Sequence, residues 1–150
     1  MAISVRNARA GFSLMEMMVV IMVIGLLAGM LVPGLNSALK KAKRGTTKST
    51  LSTLKQGINR YKNDLNQYPE TLKNLINKPK SGDERVMRKW EGPYVGDEGI
   101  ENVPEDAWDN KIHYKVTPPP AKHPYELVSY GPDGSKSSPK EEWVDAWVVD

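Results

Sequence analysis

A chain of 150 residues, 39% of them hydrophobic, has room for one modest domain. Its formal charge of +3 and pI near 9.0 do not make it a polyanion binder, because no run of five or more basic residues exists and acids are interleaved from Asp64 onward. The absence of Cys excludes disulfides, thiolate metal sites and Cys nucleophiles.

The apolar residues are concentrated near the amino terminus. Met17 to Val32 is a run of sixteen uncharged residues, while the remainder is rich in Lys, Asn, Pro and Gly, so the negative mean hydropathy averages two unlike parts. Basic residues flank the run, Arg6 and Arg9 before it and Lys40, Lys41, Lys43, Arg44 and Lys48 after it. Without the first eleven residues, 19 Lys and Arg face 18 acids. No nucleic acid partner is expected.

Met1 to Ala10 carries two arginines and no acid ahead of an apolar stretch, the plan of an export signal. A conventional signal is cut after its apolar segment at small residues. Here Gly11-Phe12-Ser13-Leu14-Met15-Glu16 sets a small residue before that segment and a carboxylate inside its first turns. An acid in a membrane helix costs about 2.5 to 3.5 kcal/mol at the centre and less toward the end. Cleavage between Gly11 and Phe12 would create an α-amino group four residues from Glu16, or within reach of Glu16 in a neighbouring chain, and so supply a compensating charge. Read from apolarity alone, Phe12 to Leu35 is a membrane anchor or an ordinary signal peptide.

Gly-Phe-Ser-Leu-x-Glu followed by about twenty apolar residues resembles the class III signal of type IV pilins and type II secretion pseudopilins. The resemblance implies a prepilin peptidase that cuts after Gly11, N-methylation of Phe12, and Glu16 as the assembly carboxylate. It also implies an exported C-terminal domain. The arginines of the leader agree with a cytoplasmic amino terminus, and the basic cluster after Leu39 pulls the other way. Gly25, Gly29 and Pro33 weaken or kink a helix; related filaments are partly unwound near such a glycine and proline.

Leu51, Leu54, Ile58, Tyr61 and Leu65 recur at steps of three and four with polar residues between them, the apolar stripe of an amphipathic helix. The spacing predicts one long helix from Phe12 to about Leu65, weakened at Gly45 and Gly57, with Pro69 forbidding continuation. Thr71 to Ile76 is a short helix. Lys80 to Arg88 is a polar surface loop. Lys111 to Val116 and Tyr125 to Tyr130 alternate as strands, joined across Pro118-Pro119-Pro120, and Trp143 to Val149 adds a third short strand.

The order Tyr61 to Pro69, Trp90-Glu91-Gly92-Pro93-Tyr94, Val103 to Asn110, and Tyr125 to Gly134 extends the resemblance over nearly the whole chain, toward the major pseudopilins of type II secretion. The fold implied is α+β: a long N-terminal helix, membrane-spanning in its first half, packed on a small antiparallel sheet. Its divisions are a leader at 1–11, a transmembrane assembly helix at 12–35, its amphipathic continuation at 36–66 and a periplasmic region at 67–150. The implied role is the major structural subunit of a periplasmic pseudopilus, anchored in the inner membrane. Its implied partners are copies of itself, minor pseudopilins, the prepilin peptidase, the inner-membrane assembly platform and membrane lipid. The alternatives are a type IV or competence pilin and a membrane-tethered periplasmic binding module; the missing Cys pair counts against an adhesive pilin.

The same resemblance implies a Ca²⁺ site in the last loop, through carbonyl oxygens near Leu127 and Ser129 and through Asp133 and Asp145, with Glu141 and Glu142 as further acids nearby. The loop departs from the family pattern: it is short, carries Lys136 and Lys140, and has Trp143 where the acidic run would offer another ligand. The competing reading is a Gly-Pro-Asp turn with a solvated charged tail. No catalytic constellation is present: there is no GxSxG, no phosphate-cradling loop and no HExxH, and His113 and His123 are not at metal-ligand spacing. No enzyme activity is expected.

Overall fold

The structure, a computed structural model, describes residues 11–80, 83–96 and 101–148. The proposed leader before Gly11, with Arg6 and Arg9, lies outside the described residues, as does Val149 at the end of the third predicted strand. The chain divides after Lys40 into two units.

Helix α1 runs from Leu14 to Leu65 without interruption. It starts where the Ser13 carbonyl accepts the N–H groups of Glu16 and Met17, at 3.0 and 3.2 Å. It ends where Asn66 turns left-handed (φ 56°) and its N–H closes on the Lys62 carbonyl at 2.8 Å. Asn tolerates that conformation better than most residues, and Pro69 follows. The partial unwinding expected around Gly25, Gly29 and Pro33 is not seen in this helix.

In the second unit, the stripe Leu51, Leu54, Ile58, Tyr61 and Leu65 is buried, as its spacing predicts. It joins Leu72, Leu75, Met87, Tyr94, Val95, Ile112, Tyr125, Leu127 and Val144 in one core. Strands β1 (His113–Val116), β2 (Tyr125–Ser129) and β3 (Val144–Asp145) form an antiparallel sheet in the order β1-β2-β3. His113 pairs with Val128 and Val116 with Tyr125, and Ser129 pairs with Val144. The first predicted strand therefore starts at His113 instead of Lys111, and the third is two residues long.

Two local readings change. Thr71 to Ile76 forms a 3-10 turn at Leu72–Leu75 that buries both leucines. Within the polar segment 80–88, which was expected to be loop, Glu84–Met87 is one turn of helix, α2. Its cap is Asp83: the carboxylate accepts the Arg85 N–H at 2.8 Å and the carbonyl accepts the Met87 N–H at 2.9 Å. Burial of Met87 in the core holds this turn in place.

Aromatic rings fill the space between helix and sheet. Tyr61 meets Tyr94 edge-on with centroids 5.6 Å apart, and Tyr114 and Tyr125 lie at the same separation. Burial pushes the phenols of Tyr94 and Tyr125 up to about 12 and raises those of Tyr61 and Tyr114, so this cluster is neutral at physiological pH. Trp147 closes the other end. Its ring stacks on His123 at 4.4 Å, carries the Lys55 ammonium 3.8 Å from its centroid, and donates Nε1–H to the Tyr125 carbonyl at 2.9 Å.

Candidate assembly site and carboxyl-terminal loop

The first unit presents an apolar surface. Every residue from Gly11 to Met30 is exposed, including Phe12 at 78% and Leu14 at 79%. Within it α1 is the one helix among the described residues that is long and apolar enough to cross a membrane. Gly11 has open space where a side chain would sit, and Glu16 lies exposed in the first turn, the one acid there. The predicted cleavage and assembly residues Gly11, Phe12 and Glu16 thus occupy one accessible end of the helix.

The carboxyl-terminal loop is organised around Asp106, which is buried. One carboxylate oxygen accepts the Trp108 and Asn110 N–H groups, each at 2.9 Å, while the other accepts the Ser129 hydroxyl at 2.5 Å. Ser129 Oγ in turn accepts the Gly131 N–H at 3.1 Å, and Asn110 donates its amide to the Gly131 carbonyl at 2.9 Å. Gly131 (φ 78°) and Gly134 (φ 60°) take left-handed conformations in this turn. A side chain on Gly131 would come within 2.6 Å of the Glu142 carbonyl oxygen, so glycine serves both the turn and the close approach.

Three of the four residues predicted to hold Ca²⁺ make hydrogen bonds within the protein, at Ser129 through the hydroxyl and not the predicted carbonyl. The Leu127 carbonyl accepts the Ala146 N–H at 3.0 Å, the Ser129 hydroxyl is bound to Asp106, and Asp145 accepts the Trp147 N–H at 2.9 Å. Asp133 is exposed in the turn. Among the described residues no three His, Cys, Asp or Glu are grouped to hold one ion. A calcium ion takes about six to eight oxygen ligands, and this donor set does not fit it. His113, on β1, lies with Nε2 3.3 Å from the Glu126 carboxylate, a contact across the sheet surface.

The residues that tie the loop to α1 are ones the sequence reading passed over. Arg44 donates to the carbonyls of Glu141, Glu142 and Trp143 at 3.0, 3.1 and 3.2 Å. Thr47, fully buried, accepts the Ala107 N–H at 3.1 Å, and Lys55 donates to the Ala146 carbonyl at 3.2 Å. Arg44 and Thr47 continue the three-and-four spacing of the apolar stripe backward from Leu51, with polar side chains. That phase was the available signal.

Residues 35–147 match the family described as "Type II secretion system (T2SS), protein G", and residues 6–32 match the "Prokaryotic N-terminal methylation motif". The chain belongs to the protein G family of the type II secretion system. It is 34% identical over 143 residues to the type II secretion system core protein G of Pectobacterium carotovorum subsp. carotovorum, covering 93% of this chain and 85% of the relative. The same protein of Escherichia coli (strain K12) is 32% identical over 144 residues, covering 94% of this chain and 92% of the relative. That of Pseudomonas aeruginosa is 31% identical over 134 residues, covering 87% and 89%. A crystal structure of the major pseudopilin from the type 2 secretion system of enterohaemorrhagic Escherichia coli is similar in fold. Its TM-score is 0.55 at 24% identity, over 78% of this chain and 96% of that one. Membership makes this protein G relative a structural component of secretion, with an apolar N-terminal helix that anchors it in a membrane.

Proposed function

We propose that this chain is the repeating subunit of a periplasmic pseudopilus. A prepilin peptidase removes residues 1–11, Phe12 is N-methylated, and the mature chain waits in the inner membrane with residues 67–150 in the periplasm. It then polymerises with copies of itself through α1, alongside minor pseudopilins and on an inner-membrane assembly platform. Growth of the fibre helps drive substrates outward. The observation that carries this reading is the exposed apolar helix with a single carboxylate, Glu16, in its first turn. An anchor needs apolar length alone; a charge held in lipid needs a partner. The amino group of Phe12 in an adjacent subunit is the natural one. An adhesive or competence pilin is not favoured, because the protein G match spans the globular region as well as the helix. Intact-mass measurement of the protein extracted from native membranes tests the reading. A mature chain beginning at methylated Phe12 is expected, and a chain that retains residues 1–11 would overturn it.

A further inference from the structure

The three carbonyls that receive Arg44 belong to consecutive residues at the end of a 3-10 turn, Lys140–Glu142, and its following residue Trp143. Carbonyls at a helix end have no partner within the helix and carry partial negative charge, so a cation is the group that suits them. The guanidinium meets them as a planar fork. Nη1 is shared between Glu141 and Glu142, and Nη2 reaches Trp143.

The surrounding residues hold those carbonyls in position. Trp143 donates its indole N–H to the Ser138 carbonyl at 3.1 Å and sets its ring edge-on to Tyr130 at 4.9 Å. The missing side chain at Gly131 leaves room for the Glu142 carbonyl. On the far side of Trp143, β3 pairs with β2 and fixes the direction in which the chain leaves the fork. These contacts join residue 44 to residues 97 to 99 positions later.

We propose that the Arg44 guanidinium is the built-in cation of the carboxyl-terminal loop, holding the 141–143 carbonyls so that the loop is ordered without a metal ion. The donor set described above, which does not fit Ca²⁺, and the fork on Arg44 point the same way. An ionic ligand that never dissociates makes the order of this loop independent of the calcium concentration around it. The inference rests on the loop geometry and not on the assembly reading; the mature mass of the chain can be right while this is wrong.

The test uses the full chain in detergent, with trypsin cleavage after Lys136 and Lys140 followed by mass spectrometry, in Ca²⁺ and in EGTA. Hydrogen exchange of residues 141–147 is measured in parallel. For the wild type, equal cleavage rates and equal exchange in the two buffers are expected. Arg44→Ala should raise cleavage after Lys140 about tenfold or more in both buffers, because cleavage tracks the population of the opened loop. Arg44→Lys keeps the charge and stem but loses the fork, and should fall between the two. If Arg44→Ala does not accumulate, Arg44→Lys carries the test alone, since its core contacts are unaltered. Wild-type loops that open in EGTA and close again with Ca²⁺ would overturn the proposal in favour of a metal-held loop. Wild-type protection in Arg44→Lys, or in Arg44→Ala where it accumulates, would also overturn it.

Discussion

Tyr125 in the core and half-buried Tyr114 against it stand ring to ring, both raised by burial, and differ in what their hydroxyls meet. Tyr114 donates to the Pro69 carbonyl at 2.9 Å, which ties β1 to the residues that follow α1. The Tyr125 hydroxyl is buried and has no partner among the described residues. An unpaired buried hydroxyl costs free energy that a paired one does not, so one substitution should have opposite effects at the two positions. Tyr114→Phe should lose about 1 kcal/mol, with the Pro69 carbonyl left short of a donor. Tyr125→Phe should be neutral or gain up to about 1 kcal/mol, since the ring and its packing remain. Thermal unfolding followed by near-UV circular dichroism measures both. Equal losses would mean that Tyr125 has a bond its surroundings do not reveal.

At the scale of elements, the two glycines in the second half of α1 carry one expectation, a weaker helix, and the structure separates them. Gly45 is exposed with open space around it, whereas a side chain on Gly57 would meet Val95 Cγ2 at 2.3 Å and the Tyr94 carbonyl oxygen at 3.1 Å. Gly45→Ala should therefore stabilise by about 0.5 to 1 kcal/mol, the usual helix propensity gain. Gly57→Ala should destabilise by about 1 to 3 kcal/mol, because overpacking outweighs propensity. Urea midpoints of the two variants check the sign, and a Gly57→Ala as stable as wild type would mean that Tyr94 and Val95 can withdraw from the helix. The pair illustrates what the sequence could carry. The Leu51 to Leu65 stripe and the strands β1 and β2 announce themselves because periodicity is local. Gly57 looks like Gly45 until residues 94 and 95 return against it. The helix at Glu84–Met87 is a single turn of four residues, held by the Asp83 cap and one buried Met, and is too short for a period to form. Arg44 acts on carbonyls 97 to 99 positions away and Asp106 on the Ser129 hydroxyl 23 positions away, where charge type alone gives no direction. Gly11, Phe12 and Glu16, by contrast, form a compact string whose resemblance to a class III signal is local, and the methylation-motif match over residues 6–32 spans it, while the roles given to the three residues are proposals.

For the molecule as a whole, the two units have opposite needs. The second has a closed core, while the first leaves Phe12, Leu14, Met15, Met18, Ile21 and Met22 more than 60% exposed, a surface that lipid or neighbouring helices must cover. Glu16 is the charge set into that surface. If it pairs with the amino group of Phe12 in an adjacent subunit, Glu16→Ala should still insert and be cleaved, and insertion should become easier because a carboxylate has left an apolar helix. Assembly should fail. Removing one side of a buried pair typically costs about 3 to 5 kcal/mol, and the loss recurs at every subunit, so a fibre suffers far more than a monomer. Glu16→Gln keeps a hydrogen bond without the charge and should be intermediate or equally defective. Crosslinking or shearing of fibres from cells that overproduce each variant measures assembly, beside an immunoblot showing equal mature protein. Fibre yield from Glu16→Ala equal to wild type would overturn the pairing. The apolar surface would then have to account for polymerisation alone, and Glu16 would be a cost without a counterpart.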